Sequence, residues 1–121
     1  MRIDRFEDLD SWKEARELVK EVYGAFRESR DFGFRDQIQR AAVSVMTNIA
    51  EGFGRESRRE LSQFLIVARG SAAEVKSLGY VGLDLGYLSG NQFQVLCERC
   101  DNVKGLLNGF LRYLRNNPKP K

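Results

Sequence analysis

Along this chain apolar residues recur with the period of a helix. The densest case is residues 37–53, QIQRAAVSVMTNIAEGF. Ile38, Ala42, Val45 and Ile49 form one stripe at helical spacing, while Val43, Met46 and Ala50 put apolar groups on another side. Between them runs a small and polar row of Gln37, Ala41, Ser44 and Asn48. A helix apolar on nearly every side is normally buried on several sides. In so short a chain that predicts the centre of a bundle or a subunit interface. Gly52 and Gly54 are expected to stop this helix, because glycine readily takes the left-handed conformation that ends one. Ser57, with Glu60 three residues on, reads as the capping box of the next.

The same pattern predicts four helices in all. The first covers about 9–26, with Asp8 or Asp10 as its cap and Ser11 with Glu14 as a further capping box. Its seam is Trp12, Ala15, Val19, Val22 and Phe26, widened by Leu18 and Tyr23. After the loop RESRDFG the second helix runs over about 34–51, and the third runs from 57 to about 88. Ala68, Ala72, Val75, Gly79, Gly82 and Gly86 share one face of the third. Each glycine inside a helix costs roughly 1 kcal/mol against alanine, so three on one face need a reason. Close backbone approach to another helix is the expected one, with a break near Gly82 as the alternative. Ser89 caps the fourth helix, which reaches about 116 along the seam Phe93, Leu96, Cys100, Val103, Leu107, Phe110 and Leu114.

Short loops between long helices make antiparallel neighbours. The expected fold is therefore all-α, an up-down-up-down antiparallel four-helix bundle forming one domain over 1–121. A short N-terminal segment, 1–8, and a basic C-terminal tail, 117–121, flank the helices. Both prolines, Pro118 and Pro120, lie in that tail, so the helices are free of the strongest breaker. No run approaches the roughly 18 apolar residues of a membrane span, and the N-terminus lacks an export signal's apolar core. Two cysteines in that setting imply a reducing cytoplasm.

Net charge is +3, and its distribution says more than its size. Residues 1–31 carry 7 basic and 9 acidic groups, and residues 84–121 carry 6 and 3. The first helix is acidic and the last basic, a mild gradient for a nucleic-acid binder.

Catalysis finds little support. The chain contains no histidine, which removes the commonest general base and the ligand sets of di-iron bundles. Cys97 and Cys100 form a C-x-x-C without the further ligands a structural zinc needs. Cys100 falls on the core seam with Cys97 beside it, so both read as packing residues. Glu51 and Glu74 have no nucleophile in company and read as structural, with Arg40, Arg69 and Lys76 as available partners. Gln37, Ser44, Asn48 and Ser71 are expected to bond between helices. The expectation is no enzyme, no catalytic residue, no metal and no cofactor.

The arginines carry the remaining signal. Arg55, Arg58 and Arg59 surround the start of the third helix, where free N–H groups already favour anions. Arg27, Arg30 and Arg35 gather at the other end, and Arg112 and Arg115 finish the last helix, where the helix dipole alone also accounts for them. Arginine binds phosphate bidentately, so nucleic acid is the sharper reading of the set.

QIQRAAVSVMTNIAEGFGR followed by SRRELSQFLIVARGSAAEV resembles the bacterial four-helix-bundle family encoded in intervening sequences of 23S ribosomal RNA genes. The family pattern is met at Gln37, Arg40, Ala41, Ser44, Asn48, Ile49, Glu51 and Gly52. It continues at Arg55, Ser57, Glu60, Phe64, Leu65, Ala68, Ser71 and Glu74. The first loop lacks the family's usual proline. The accessory variability protein of diversity-generating retroelements, a basic pentamer that works with a reverse transcriptase and its RNA, is similar. The resemblance implies a small cytoplasmic bundle assembling as a ring-like homopentamer, with no catalytic residues to carry over.

Together these readings predict a non-enzymatic homo-oligomer that binds or scaffolds RNA through Arg40, Arg55, Arg58 and Arg59. The alternative is a protein-interaction scaffold, for example an adaptor to a protein encoded by a neighbouring gene, without nucleic-acid contact. Val43, Met46, Ile66 and Val67 are the expected oligomer interface, being apolar groups that one bundle core cannot all bury.

Overall fold

The computed structural model of the protein describes residues 3–117; the prolines and lysines of the expected basic tail lie outside the described residues. A single 3-10 turn, Phe6–Asp8, leads into four helices: α1 Asp10–Ala25, α2 Phe32–Phe53, α3 Arg58–Asp84 and α4 Gly90–Asn116. Among the described residues each helix packs on its two neighbours, α1 closes onto α4, and no diagonal pair meets. That is the predicted up-down-up-down bundle. Most of the seams read from the sequence supply its centre: Trp12, Ala15, Leu18, Val22 and Phe26 face Ile38, Ala42, Val45, Ile49, Leu65, Val75, Leu96, Val103 and Leu107. Val19, Phe93 and Phe110 are only partly buried, and Tyr23 is exposed. No helix among the described residues is long and apolar enough to cross a membrane.

Local chemistry sets the helix ends, and several differ from expectation. Leu9 precedes α1 without a side-chain cap, and neither Asp8 nor Asp10 serves. The Ser11–Glu14 box does not form. Ser11 is buried with an unpartnered hydroxyl, and Glu14 instead accepts a 2.9 Å bond from Arg99 of α4. Starting α1 one residue before Ser11 turns that side chain into the bundle.

α2 begins two residues early because Asp31 Oδ1 accepts from the Phe34 amide at 3.1 Å. At its other end α2 runs on through Gly52, and Gly54 keeps an ordinary right-handed φ of −78°. Gly52 therefore serves packing: a Cβ added there would fall 2.6 Å from Phe64 Cβ.

α3 stops at Asp84, four residues short of the predicted end. Gly86 takes φ +79°, the Tyr87 amide reaches the Gly82 carbonyl at 2.7 Å, and the Gly86 amide reaches that of Leu83 at 3.1 Å. This pair of bonds is the Schellman stop, which needs glycine at the left-handed position. Gly79 and Gly82 belong to the buried face as expected. What closes on them is side chains: Leu96 Cδ2 at 2.8 Å from a Cβ added at Gly79, and Leu88 and Phe34 at 3.3 Å from one at Gly82. Ser57 accepts from the Glu60 amide and Ser89 forms a full capping box with Gln92.

Tyr87 donates its hydroxyl to Asp31 Oδ2 at 2.7 Å, tying the α3–α4 turn to the α1–α2 loop. That bond, with the Phe34 amide second, holds the Asp31 carboxyl below its ordinary value. A carboxylate whose pKa is depressed by folding stabilises the fold above its unfolded value near 3.8, and the contribution fades as pH falls through the folded value. Tyr87→Phe is accordingly expected to flatten the loss of thermal stability between about pH 6 and pH 2. Melting curves across that range check it, with Asp31→Asn giving the same flattening.

Candidate nucleic-acid interface

The α2–α3 loop, the start of α3 and the end of α4 meet at one end of the bundle. Arg58 Nη1 donates to the Asn117 main-chain carbonyl there at 2.8 Å. Two of the predicted arginines sit over aromatic rings. Arg55 sits 4.8 Å over Phe64, with Glu51 at 3.6 Å, and Arg58 sits 5.5 Å over Tyr113. Cation–π attraction of this kind holds a guanidinium near the ring while its N–H groups remain able to meet other partners. Arg59 is exposed, with no ion pair among the described residues, and Arg112 and Arg115 of α4 are exposed at the same end.

Arg40 does not join them. It is exposed on α2, thirteen residues before that helix ends at Phe53, roughly 20 Å along the helix axis from the arginine end. Nor is the end uniformly basic. Glu56 and Glu60 stand among the arginines, and Asp4, Glu7 and Asp8 enter from the N-terminal segment. The aromatic seats of Arg55 and Arg58 escaped sequence reading. Arg55 and Phe64 are nine residues apart across a loop, and Tyr113 lies on another helix.

The other sequence assignments separate cleanly. Ser44 and Ser71 hydroxyls meet at 3.0 Å between α2 and α3, while Asn48, contrary to expectation, bonds within α2, donating to both the Ser44 carbonyl and its hydroxyl. Gln37 is exposed and takes no part. Glu51 and Glu74 are both exposed, so they form no buried carboxylate pair. Arg69 donates to Asn108 and Lys76 to Asp101, each 2.9 Å from α3 to α4.

Of the four expected interface residues, Ile66 and Val67 are about half exposed, at 49% and 52%. Val43 is half-buried, and Met46 packs against the core of its own bundle. Met46 is thus partly buried in its own bundle, with the remainder of its side chain exposed. As on α1, α2 and α4, further exposed apolar side chains lie on the outer face of α3. Ile66, Gly70, Ala73, Ser77 and Val81 follow one another there at 4-3-4-4 spacing, all exposed. That second row was legible at helical spacing, beside the buried row of glycines and alanines.

Cys100 is buried and Cys97 half-buried, both as free thiols. Burial pushes the Cys100 thiol up to about 12, and it also raises Cys97 against the opposing pull of Lys76. Both are thus protonated at neutral pH. Among the described residues no three histidine, cysteine or acidic side chains converge as a metal site. The expected result with a thiol-reactive disulfide reagent at neutral pH is slow reaction of Cys97 and none of Cys100 until the chain unfolds. Because the folded Cys100 value lies above the unfolded 9, its contribution to stability is present below pH 9 and is lost as pH climbs toward about 12.

The family model for the 23S rRNA-intervening sequence protein matches residues 7–109. The chain belongs to that family. A crystal structure from Bacteroides thetaiotaomicron, described as a protein of unknown function from the S23 ribosomal protein family, is similar in fold. Its TM-score is 0.78 at 20% identity, covering 84% of this chain and 97% of that one. No curated protein matches the sequence. Family membership accords with the bundle. It assigns no chemistry to the arginine end.

Proposed function

We propose that this protein is a non-enzymatic, cytoplasmic, self-associating bundle that binds RNA through Arg55, Arg58 and Arg59, with Arg40 as a separate and more distant contact. The supporting observation is the seating of two guanidinium groups on aromatic rings beside the N-terminus of α3. Pre-placed arginines lose little freedom when they meet phosphate, and the helix N-terminus adds donors of the same sense. One subunit offers a modest patch. Rotational repetition in a closed ring, taken as a pentamer from the resemblance to ring-forming relatives, multiplies it.

The neighbouring acids keep affinity in the micromolar range, with little sequence preference. Titrating single-stranded and structured RNA at two salt concentrations tests the reading. Each lost phosphate contact should lower the salt slope by about 0.7 for single strands. The Arg55/Arg58/Arg59→Ala variant is expected to bind at least tenfold more weakly with a shallower slope. Equal binding by wild type and variant, or none by wild type at low salt, would hand the function to a protein-interaction scaffold. The exposed apolar row of α3 favours that second reading.

A further inference from the structure

At the arginine end a cleft of about 540 Å³ opens between the N-terminal segment and the ends of α2, α3 and α4. Small-molecule sites span roughly 300–1,000 Å³ and are mostly apolar with a few placed polar groups. Leu9, Phe53, Leu61, Phe110 and Leu114 supply the apolar lining, and among the described residues that form it Arg58 is the charged one. Its guanidinium is held by the Tyr113 ring and by one bond to the Asn117 carbonyl. No carboxylate among the described residues pairs with it, so most of its five donors are open.

We propose that this cleft binds a monoanionic amphiphile, a carboxylate on an unbranched apolar tail, with the carboxylate on Arg58 and the tail against the leucine and phenylalanine lining. Charge complementarity selects the head group: one guanidinium and no acid among the described lining residues, with a fork geometry matched to a carboxylate. The lining selects the tail. A nucleobase would bring several polar edge groups into a wall of leucine and phenylalanine carbons, leaving them unpaired, which is costly. A peptide main chain meets the same obstacle with each amide it buries. Inorganic phosphate would leave the apolar wall unused.

This proposal stands apart from the RNA reading, although Arg58 belongs to both. Calorimetric titration of the full chain with decanoate, below its micelle concentration, is expected to show one saturable site per chain. The dissociation constant should be on the order of 100 μM. Arg58→Gln should weaken decanoate at least tenfold and leave decan-1-ol within twofold, because only the charged head is affected. Arg58→Glu should reverse the preference, binding decylamine more tightly than decanoate. Circular dichroism confirms that each variant remains helical, and Arg58→Gln keeps the test valid if the charge reversal disturbs the fold.

Arg55→Ala/Arg59→Ala should weaken RNA and leave decanoate within twofold, so the two readings fail separately. The proposal is overturned if decanoate does not saturate, or if decanoate and decylamine bind the wild type equally. It is also overturned if the Arg55/Arg59 variant loses decanoate as fully as Arg58→Gln. A short peptide ending in a Leu-Phe carboxylate serves as a further probe. Its binding in the absence of decanoate binding would assign the cleft to a protein segment instead.

Discussion

Gly52→Val should leave the chain unfolded or molten at 25 °C, and Gly52→Ala should cost about 3 kcal/mol. The added Cβ would stand 2.6 Å from Phe64 Cβ, 3.2 Å from Leu61 Cδ1 and 3.4 Å from the Leu61 carbonyl. The Phe64 Cβ is bonded directly to the α3 main chain and the Leu61 carbonyl is part of it, so neither can swing aside and relief requires the two helices to part. The α2–α3 contact is the most extensive in the bundle, and parting it opens the core around Ile49 and Leu65. Valine adds further methyl groups to the same space.

Gly79 provides the contrast. Its nearest obstruction is the tip of Leu96, 2.8 Å away, and a leucine can change rotamer. Gly79→Ala should therefore cost only about 1 kcal/mol, the helix-propensity gain offsetting part of the crowding. At Gly105 nothing lies within 4 Å, and Gly105→Ala should stabilise by roughly 0.5–1 kcal/mol. Urea unfolding of the three alanine variants checks the order. A Gly52→Ala cost no greater than that of Gly79→Ala would refute the close-approach argument.

The double change Ile66→Asp with Val67→Asp is expected to reduce the proposed assembly to chains of 13.9 kDa while helicity is retained. Both residues are half exposed, and neither belongs to the bundle core, so the charges remain in water when the chain is alone. In an interface they would be desolvated without partners, costing several kcal/mol per site. That corresponds to more than a hundredfold in association. Val81 and Leu85 extend the exposed apolar surface of α3 and its following turn, and such contiguous surface marks association sites on soluble chains.

Met46→Glu makes the informative comparison. Because Met46 packs against its own core, that change should lower the unfolding midpoint as well as, or instead of, the mass. Light scattering coupled to gel filtration reads the mass, and thermal unfolding reads the fold. A wild type that runs as a monomer at all concentrations removes the self-association reading altogether.

The arginine end shows how far a sequence reading reaches. Arg55, Arg58 and Arg59 were visible as a cluster because they are close along the chain. That Arg58 turns toward α4 while Arg55 turns back over Phe64 was not, since each orientation depends on a ring supplied from elsewhere in the fold. The cleft below Arg58 was equally hidden. Its wall comes from residues as far apart as Leu9 and Leu114, and only helix docking brings them together.

What the sequence determined by itself is local and periodic. It set the number of helices, the seams that point inward, and the caps at Ser57 and Ser89, because a 3.6-residue repeat and a serine before a helix act within one segment of chain. The tertiary structure decided what depends on how each helix is rolled and shifted against its neighbours. That is why Ser44 meets Ser71 while Gln37 is left in water, and why Arg99 takes Glu14 from the box predicted for it. It is also why Gly52 is packed tight while Gly54 simply ends a turn. Roll and register emerge from many small contacts between distant residues, and no short window of sequence contains them.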